Sequence, residues 1–558
     1  EADPRLAEHV LNGADDSRRA QLLTVYSRAA AHDPLHLDAH LTELCVRHHR
    51  DLAPHIVTTA VRTDRPQPLI AALDAVAEHP DTPLDALLAL RGLLPRPSQR
   101  LAATAVRLAG ELVRRQRGLA ELDPDVQLPE LAFSLNLLSN RLGEVGRWEE
   151  GLTAVREAVA IRRELAAADP GTHLPDLAVS LNNLSVRLGE VGRWEEGLTA
   201  AQEAVAIRQE LAAADPGHRA DLAVSLNNLS NRLGRLGRRR EGLAAVQEAV
   251  AIRRELAATD PDQYRSALAT SLINLSNRLG ELGRQREGLA VVQEAVGICR
   301  ALAGTNPDAY LPDLAIAVNN LSVDLSELGL QEQALAAAQE AVAIRRLLAE
   351  ANPGAHLPDL ATSLGNLSVD LGRAERWEES LTVAQEAVAA CRTLAAANPD
   401  AHLADLAQVL NNLSGTLGEL GRREEGLAAI REASEYYRAL AGANPGAHLA
   451  DLAMSLCNLA NRLGEVGRRK EGLAAIREAA DHYRVLAEAE PDVHLADFAL
   501  SLNNLAVDLG GLGHRQEALT AIQEALAIRR ALARAEPDLH RRAVEQSLEV
   551  ARWLDGLP

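Results

Sequence analysis

Residues 174–217 read LPDLAVSLNNLSVRLGEVGRWEEGLTAAQEAVAIRQELAAADPG, and residues 128–171 read LPELAFSLNLLSNRLGEVGRWEEGLTAVREAVAIRRELAAADPG. The two stretches differ at seven of 44 positions, which points to duplication within one gene. The same unit runs down most of the chain. Its marker is an acidic residue or Asn followed by proline: Pro124, Pro170, Pro216, Pro261, Pro307, Pro353, Pro399, Pro445, Pro491 and Pro537. Successive markers lie 46 residues apart, except for 45 between Pro216 and Pro261, so nine complete units fit. A fixed period of this length means stacked units rather than one domain around one cleft.

Each unit predicts two helices. Helix A is expected from Pro175 to Val191, because Leu177, Leu181, Leu184 and Leu188 make one apolar stripe at helical spacing. Pro175 and Asp176 suit a first turn, and Gly192 suits a C-terminal cap. Helix B is expected from Trp194 to just before Asp215, with Glu195 and Glu196 at its positive end. The short connection makes the two antiparallel. The fold class is therefore all-α, a right-handed α-solenoid of nine helix-turn-helix repeats.

Outside the repeat, residues 1–97 read as an irregular helical region, with helices near 16–32, 36–49, 66–78 and 82–94. Residues 98–122 read as a lone B-type helix that opens a solenoid over 98–540, and 541–558 as a capping helix carrying Val544, Leu548 and Trp553. A cap is needed because the last repeat otherwise exposes its core face. The chain begins Glu-Ala-Asp-Pro and its one Met is Met454, so a longer protein with a segment upstream is expected.

Composition narrows the function. Aromatic residues are 2% of the chain, so the core must be Leu, Ala, Val and Ile. Cys45, Cys299, Cys391 and Cys457 form no CxxC pair, which predicts neither a disulfide framework nor a zinc site and suits a reducing cytoplasm. A net charge of −20 disfavours nucleic acid and anionic membranes, and the basic runs at 114–117 and 238–240 read as solvated helix faces or turns. No phosphate loop, HExxH, GxSxG or dinucleotide motif is present, so no enzyme activity and no cofactor are expected.

The run Leu181-Asn182-Asn183-Leu184-Ser185-Val186-Arg187-Leu188, followed by Gly192-Arg193-Trp194-Glu195-Glu196-Gly197 and Glu203-Ala204-Val205-Ala206-Ile207-Arg208, resembles a tetratricopeptide repeat. It is most similar to the long repeats of kinesin light chains. The family's aromatics are replaced here by Leu and Ala, and the unit is longer than the usual one. The resemblance implies that A helices line a concave surface that holds a protein or peptide partner. Arrays of this composition also resemble the C-terminal sensor arm of actinobacterial STAND-type NTPases. That implies a ligand-sensing or scaffold arm of a larger regulator. A stand-alone adaptor, or a substrate-recognition array fused to an enzyme such as a protease, are the other readings.

On the helical wheel the face opposite the Leu stripe carries Val179, Asn182, Asn183, Val186 and Glu190, with Arg187 at its edge. The candidate binding residues are the amides Asn182, Asn183, Asn227, Asn228, Asn274, Asn319, Asn320, Asn366, Asn411, Asn412, Asn458, Asn503 and Asn504, with Arg141, Arg187, Arg232 and Arg278. Asn is a mediocre helix former, so its recurrence needs a reason. Two are open. An amide both donates and accepts, so the column could grip the backbone of any bound peptide, as the resemblance implies. It could equally form a ladder that ties neighbouring repeats. Replacing Asn228, Asn274 and Asn320 with Ala separates the two: lost binding favours the grip, unfolding favours the ladder.

Two further columns carry information. The Val179 column varies in character from Phe133 to Gln408. The Arg187 column is basic in the first four units and acidic at Asp324 and Asp370, which would orient a partner unless it is drift on a solvated face. His173, His356, His402, His448, His494 and His540, exchanged for Tyr264 and Tyr310, follow the markers by three residues. Repeat-to-repeat spacing of about 8–10 Å is too long for one metal ion, so a shared packing or hydrogen-bonding role in the loop is expected.

Overall fold

The computed structural model describes residues 16–30, 34–62, 66–80, 82–94, 101–351 and 353–556. Among them there is no strand. Helices α1 (Asp16–Ala30), α2 (Pro34–Arg47), α3 (His49–Arg62), α4 (Gln67–Glu78) and α5 (Leu84–Leu93) precede α6 (Ala102–Ala120). Leu23, Leu41, Leu52, Ile56, Leu69, Leu73 and Leu87 from the first five pack with Leu101, Leu108 and Leu112 around one core. Helix α3 lies between the expected stretches at 36–49 and 66–78 and has Pro54 inside it. Pro54 falls in the second turn, and Leu52 before it with Ile56, Val57 and Ala60 beyond it are buried in one stripe, so burial outweighs one lost backbone bond. The expected boundary at 97–98 lies outside the described residues.

From there A and B helices alternate: α7 (Pro124–Glu144), α8 (Trp148–Ala168), α9 (Pro170–Glu190), α10 (Trp194–Ala214), α11 (Arg219–Arg235), α12 (Arg239–Thr259), α13 (Pro261–Glu281) and α14 (Gln285–Thr305). The series continues with α15 (Pro307–Glu327), α16 (Gln331–Ala351), α17 (Pro353–Arg373), α18 (Trp377–Ala397), α19 (Pro399–Glu419), α20 (Arg423–Ala443) and α21 (Pro445–Glu465). Helices α22 (Arg469–Ala489), α23 (Pro491–Gly511), α24 (Arg515–Ala535) and α25 (Pro537–Asp555) complete it. The chain forms two compact units, residues 1–187 with 348–357, and residues 188–347 with 358–558.

Helix A starts five residues earlier than expected, at the marker proline itself. That proline is the first helical residue, where its missing N–H costs nothing. The acidic or Asn residue before it can cap: Asp260 accepts from the Gln263 N–H at 3.1 Å and Asn306 from the Ala309 N–H at 3.3 Å. Pro175 therefore lies inside α9, as Pro129, Pro312 and Pro358 do in their helices. The histidines three residues past the markers accordingly sit in helix rather than loop. In the short unit, Pro216–His218 is a single 3-10 turn and α11 begins only at Arg219.

Each A helix is sandwiched between two B helices. Val205 of α10, Leu222, Ala223 and Leu226 of α11, and Ala245, Ala249 and Ile252 of α12 form one such layer. Full burial of each leucine contributes about 1.5–3 kcal/mol. Ala178, Ala223, Ala269, Ala315, Ala361, Ala407, Ala453 and Ala499 repeat one buried position where no larger side chain would fit. At the same place in α25 stands Glu545, which is exposed.

The turn between A and B needs a left-handed residue. Gly146, Gly192, Gly237, Gly283, Gly329, Gly421, Gly467 and Gly513 supply it, with φ between 67° and 83°. The remaining unit has Glu375 there at φ 58°. A Cβ in this region costs about 1–2 kcal/mol, part of which glycine would lose again through unfolded-chain entropy. Glu375→Gly is expected to raise unfolding stability by about 1 kcal/mol, read from a chemical denaturation curve. An unchanged or lower midpoint would contradict this.

Candidate functional site

Two columns on the A helices remain open to solvent. Phe133, Val179, Val224, Ile316 and Leu500 occupy the first and are 42–48% exposed. Val323, Val369 and Val507, seven residues on from that column, are also exposed. This is the face that the helical wheel marks. Large apolar side chains left in water along one face need a reason, since isolated ones are common but aligned ones are not.

The asparagines divide into two sets by depth. Asn182, Asn227, Asn411 and Asn503 are buried and Asn319 is half-buried, whereas Asn183, Asn228, Asn274, Asn320, Asn366, Asn412, Asn458 and Asn504 are all half-buried. Buried and half-buried members bond across repeats. Asn183 Nδ2 donates to Asn136 Oδ1 at 3.2 Å, Asn274 to Asn227 at 3.4 Å, Asn366 to Asn319 at 3.1 Å and Asn458 to Asn411 at 3.1 Å. The inner amides also reach serines of the next A helix. Asn136 Nδ2 donates to Ser180 Oγ at 2.7 Å and Asn227 Nδ2 to Ser271 Oγ at 2.8 Å. Ser547 Oγ donates to Asn503 Oδ1 at 2.9 Å. The ladder is therefore real.

It is also incomplete. Ile273, Gly365 and Cys457 replace the inner Asn in alternate units, so the outer amides that follow them have no acceptor there. Among the described residues Asn228, Asn320 and Asn504 make no side-chain hydrogen bond, and Asn412 accepts only from Gln408 Nε2 at 3.2 Å. On α11, α15 and α23 each unpaired amide lies one helical turn after an exposed apolar residue, Val224, Ile316 or Leu500.

The arginine column is placed differently from what the wheel implied. Arg141 and Arg187 are buried, and Arg232 and Arg278 are half-buried. The Arg187 guanidinium fills the space that a Cβ on Gly143 would take, and Arg232, Arg278 and Arg462 lie likewise over Gly189, Gly234 and Gly418. Arg141 pairs with Glu144 at 2.9 Å and Arg278 with Glu281 at 2.8 Å. These heads are wedged against the neighbouring repeat, so their charges do not present the basic half of a groove. The physical reason is the glycine in the last turn of the preceding A helix, Gly143, Gly189, Gly234 or Gly418, which leaves a notch that the next repeat's arginine fills.

The acidic members of that column are buried too. Asp324 is 7% exposed and accepts a short hydrogen bond from Ser276 Oγ, and Asp370 accepts from Ser326 Oγ at 2.9 Å. Burial pushes both carboxyls above the usual carboxylate range, and Glu327 adds to the effect at Asp324. The protonated form is thus favoured in the fold. Its contribution is fully present below the unfolded value of about 3.9 and is lost as pH rises through the folded one. Asp324→Asn keeps an acceptor for Ser276 and removes the charge. It is expected to be more stable than the parent at pH 7, with the gap closing towards about pH 4; a gap independent of pH would contradict this.

A further buried column was not singled out in the sequence. On the B helices, Arg162 pairs with Asp176 at 2.9 Å, Arg208 with Asp221 at 2.9 Å, and Arg345 donates to the Asp359 carbonyl at 2.6 Å and to Ser363 Oγ at 2.7 Å. Each staples a B helix to the start of the next A helix. The signal was an arginine recurring directly after Ile161 and Ile207, inside an apolar stripe. Cys299 and Cys391 take this position in two units, where burial pushes their thiols up to about 11 and about 12. Such thiols are poor nucleophiles. Among the described residues no group of three His, Cys, Asp or Glu is placed to hold a metal ion, and no helix is long and apolar enough to cross a membrane.

The tetratricopeptide repeat family matches residues 177–218, 222–262, 268–308, 314–353, 360–400 and 498–533. No curated protein matches the chain. Among solved structures, BtubC (BKLC) from P. vanneervenii is 21% identical, with 45% of this chain and 92% of that one covered and a TM-score of 0.37. Aspartyl phosphate phosphatase F from Bacillus subtilis is 14% identical over 69% and 92% of the two chains, with a TM-score of 0.42. A Rap protein complexed with competence and sporulation factor is 12% identical over 70% and 99%, with a TM-score of 0.39. The chain is an all-α solenoid that matches the tetratricopeptide repeat over these six stretches.

Proposed function

We propose that the exposed face of the A helices is a peptide-binding groove, and that the chain acts by holding a protein partner rather than by catalysis. The observation that supports this most is the pairing on α11, α15 and α23. Each presents an exposed apolar side chain and, one turn on, an amide with no side-chain partner. An extended peptide offers what these lack: side chains for Val224, Ile316 and Leu500, and backbone N–H and C=O groups for Asn228, Asn320 and Asn504. The grip reading is thereby narrowed to the amides that the ladder leaves out. The arginines Arg141, Arg187, Arg232 and Arg278 would act indirectly, by fixing the repeat-to-repeat spacing of the groove.

The finer reading is a ligand-sensing or scaffold arm of a larger cytoplasmic regulator, with the STAND-type placement resting on resemblance alone. The binding reading is tested with a random peptide library displayed on phage and selected on the full chain. Selected peptides are then titrated by calorimetry. Val224→Asp, Ile316→Asp and Leu500→Asp together should cost at least about tenfold in affinity, because three apolar contacts give way to carboxylates. Melting should hold, since these side chains are solvent-exposed. Undiminished binding by the triple variant would refute the groove.

A further inference from the structure

The second compact unit touches itself across more than five repeats. The turn that closes α9 meets the first turn of α21. Asn444 Nδ2 donates to the Glu190 carbonyl at 3.5 Å. Gly446 lies against Gly192, so a Cβ on Gly446 would stand 3.4 Å from Gly192 Cα and 3.5 Å from the carbonyl oxygens of Val191 and Gly192. Arg239, which begins the B helix of the next repeat, pairs through Nη1 with Glu536 Oε2, two repeats on from Asn444, at 3.4 Å. Between these two points Glu490 is partly buried and faces Glu195, and both burial and that like charge raise its carboxyl above the usual range.

The contact is local. At the equivalent glycines Gly283, Gly329, Gly421, Gly467 and Gly513 an added Cβ would meet nothing within 4 Å. The separations of 254 and 297 residues are five and a half and six and a half repeats of 46. An A–B turn thus sits between two B–A turns of the following coil. The attractive groups are few and partly exposed, and Glu195 against Glu490 opposes them, so the closure is weak and reversible.

We propose that this contact is a clasp. Closed, it joins successive coils of the second unit. Open, it separates them and gives a polypeptide sideways entry to the A-helix face; this second role rests on the peptide-binding reading, whereas the clasp itself does not.

The test is small-angle X-ray scattering of the full chain without ligand, beside circular dichroism. Gly446→Asp is the first variant. The array itself has Asp at the same place in Asp262, Asp308, Asp400 and Asp492, so the helix tolerates it, but at 446 the carboxylate would meet the carbonyl end of α9. Arg239→Glu is the second, and Arg239→Glu with Glu536→Arg the third. The first two should keep helix content and increase the maximum dimension by about one helix diameter, ~10 Å, or more. The charge swap should restore the parent value. Should Gly446→Asp lose helix content, the Arg239 pair decides alone. Scattering identical to the parent in Arg239→Glu, or no recovery in the swap, overturns the clasp. Because no ligand is present, that failure leaves the peptide reading standing, and failed peptide selection leaves the clasp standing.

Discussion

Leu226→Ala is expected to destabilise the array by about 2–5 kcal/mol, the largest single effect among the substitutions considered. Leu226 is 2% exposed at the centre of the layer formed by α10, α11 and α12. Removing it forfeits transfer free energy and leaves a cavity that the flanking Ala223, Ala245 and Ala249 are too small to fill. In a globular domain that loss would spread through one cooperative transition. In a solenoid each repeat builds its core with its neighbours alone, so the loss stays local. Amide exchange should accelerate in α10 to α12 and stay near parent values in α20 to α24. Uniform acceleration along the whole array would contradict the stacked architecture.

Asn227→Ala should cost about 1–3 kcal/mol. It removes an amide that donates to Ser271 Oγ and accepts from Asn274 Nδ2, and it leaves both partners unsatisfied at a buried site. Asn320→Ala, by contrast, should stay within about 0.5 kcal/mol of the parent, because that side chain has no partner among the described residues. It should instead weaken a selected peptide by roughly fivefold to tenfold, the worth of one or two hydrogen bonds. Denaturant curves read the first pair and calorimetry the second. Equal destabilisation by both substitutions would mean that the ladder and the proposed grip are one structural device.

The fold was legible because the period is nearly perfect and Leu177, Leu181, Leu184 and Leu188 specify one buried stripe. The start of helix A was misplaced because each of several units has two prolines, as Pro170 and Pro175 show. Only the preceding Asp169 or its counterpart marks which one takes the first helical position. The exposed apolar column and the candidate amides were visible on the wheel. The depth of Arg187 was not, since a wheel treats one helix alone and this guanidinium is buried by the repeat before it. A clue was available: Gly143, Gly189 and Gly234 recur inside the last turn of a helix, where glycine costs about 1 kcal/mol unless something approaches closely. That Asn320, Asn412 and Asn504 lack a cross-repeat acceptor was also encoded, in the alternation of Asn227, Ile273, Asn319, Gly365, Asn411 and Cys457, whereas Asn228 follows an inner Asn, Asn182, and does not obey it. It becomes meaningful only once the cross-repeat geometry is known.

The most direct measurement of the central claim is site-specific photo-crosslinking to a library-selected peptide. A benzophenone side chain is placed at Ile316 on the A-helix face or at Leu347 on α16, both exposed and apolar. Leu347 is more exposed than Ile316, 61% against 42%, which makes it a stringent control for non-specific capture. Crosslinks from Ile316, lost when unlabelled peptide competes, and none from Leu347 are the predicted result. Crosslinks from Leu347 alone, or in equal yield from both positions, would place the partner elsewhere and contradict the account.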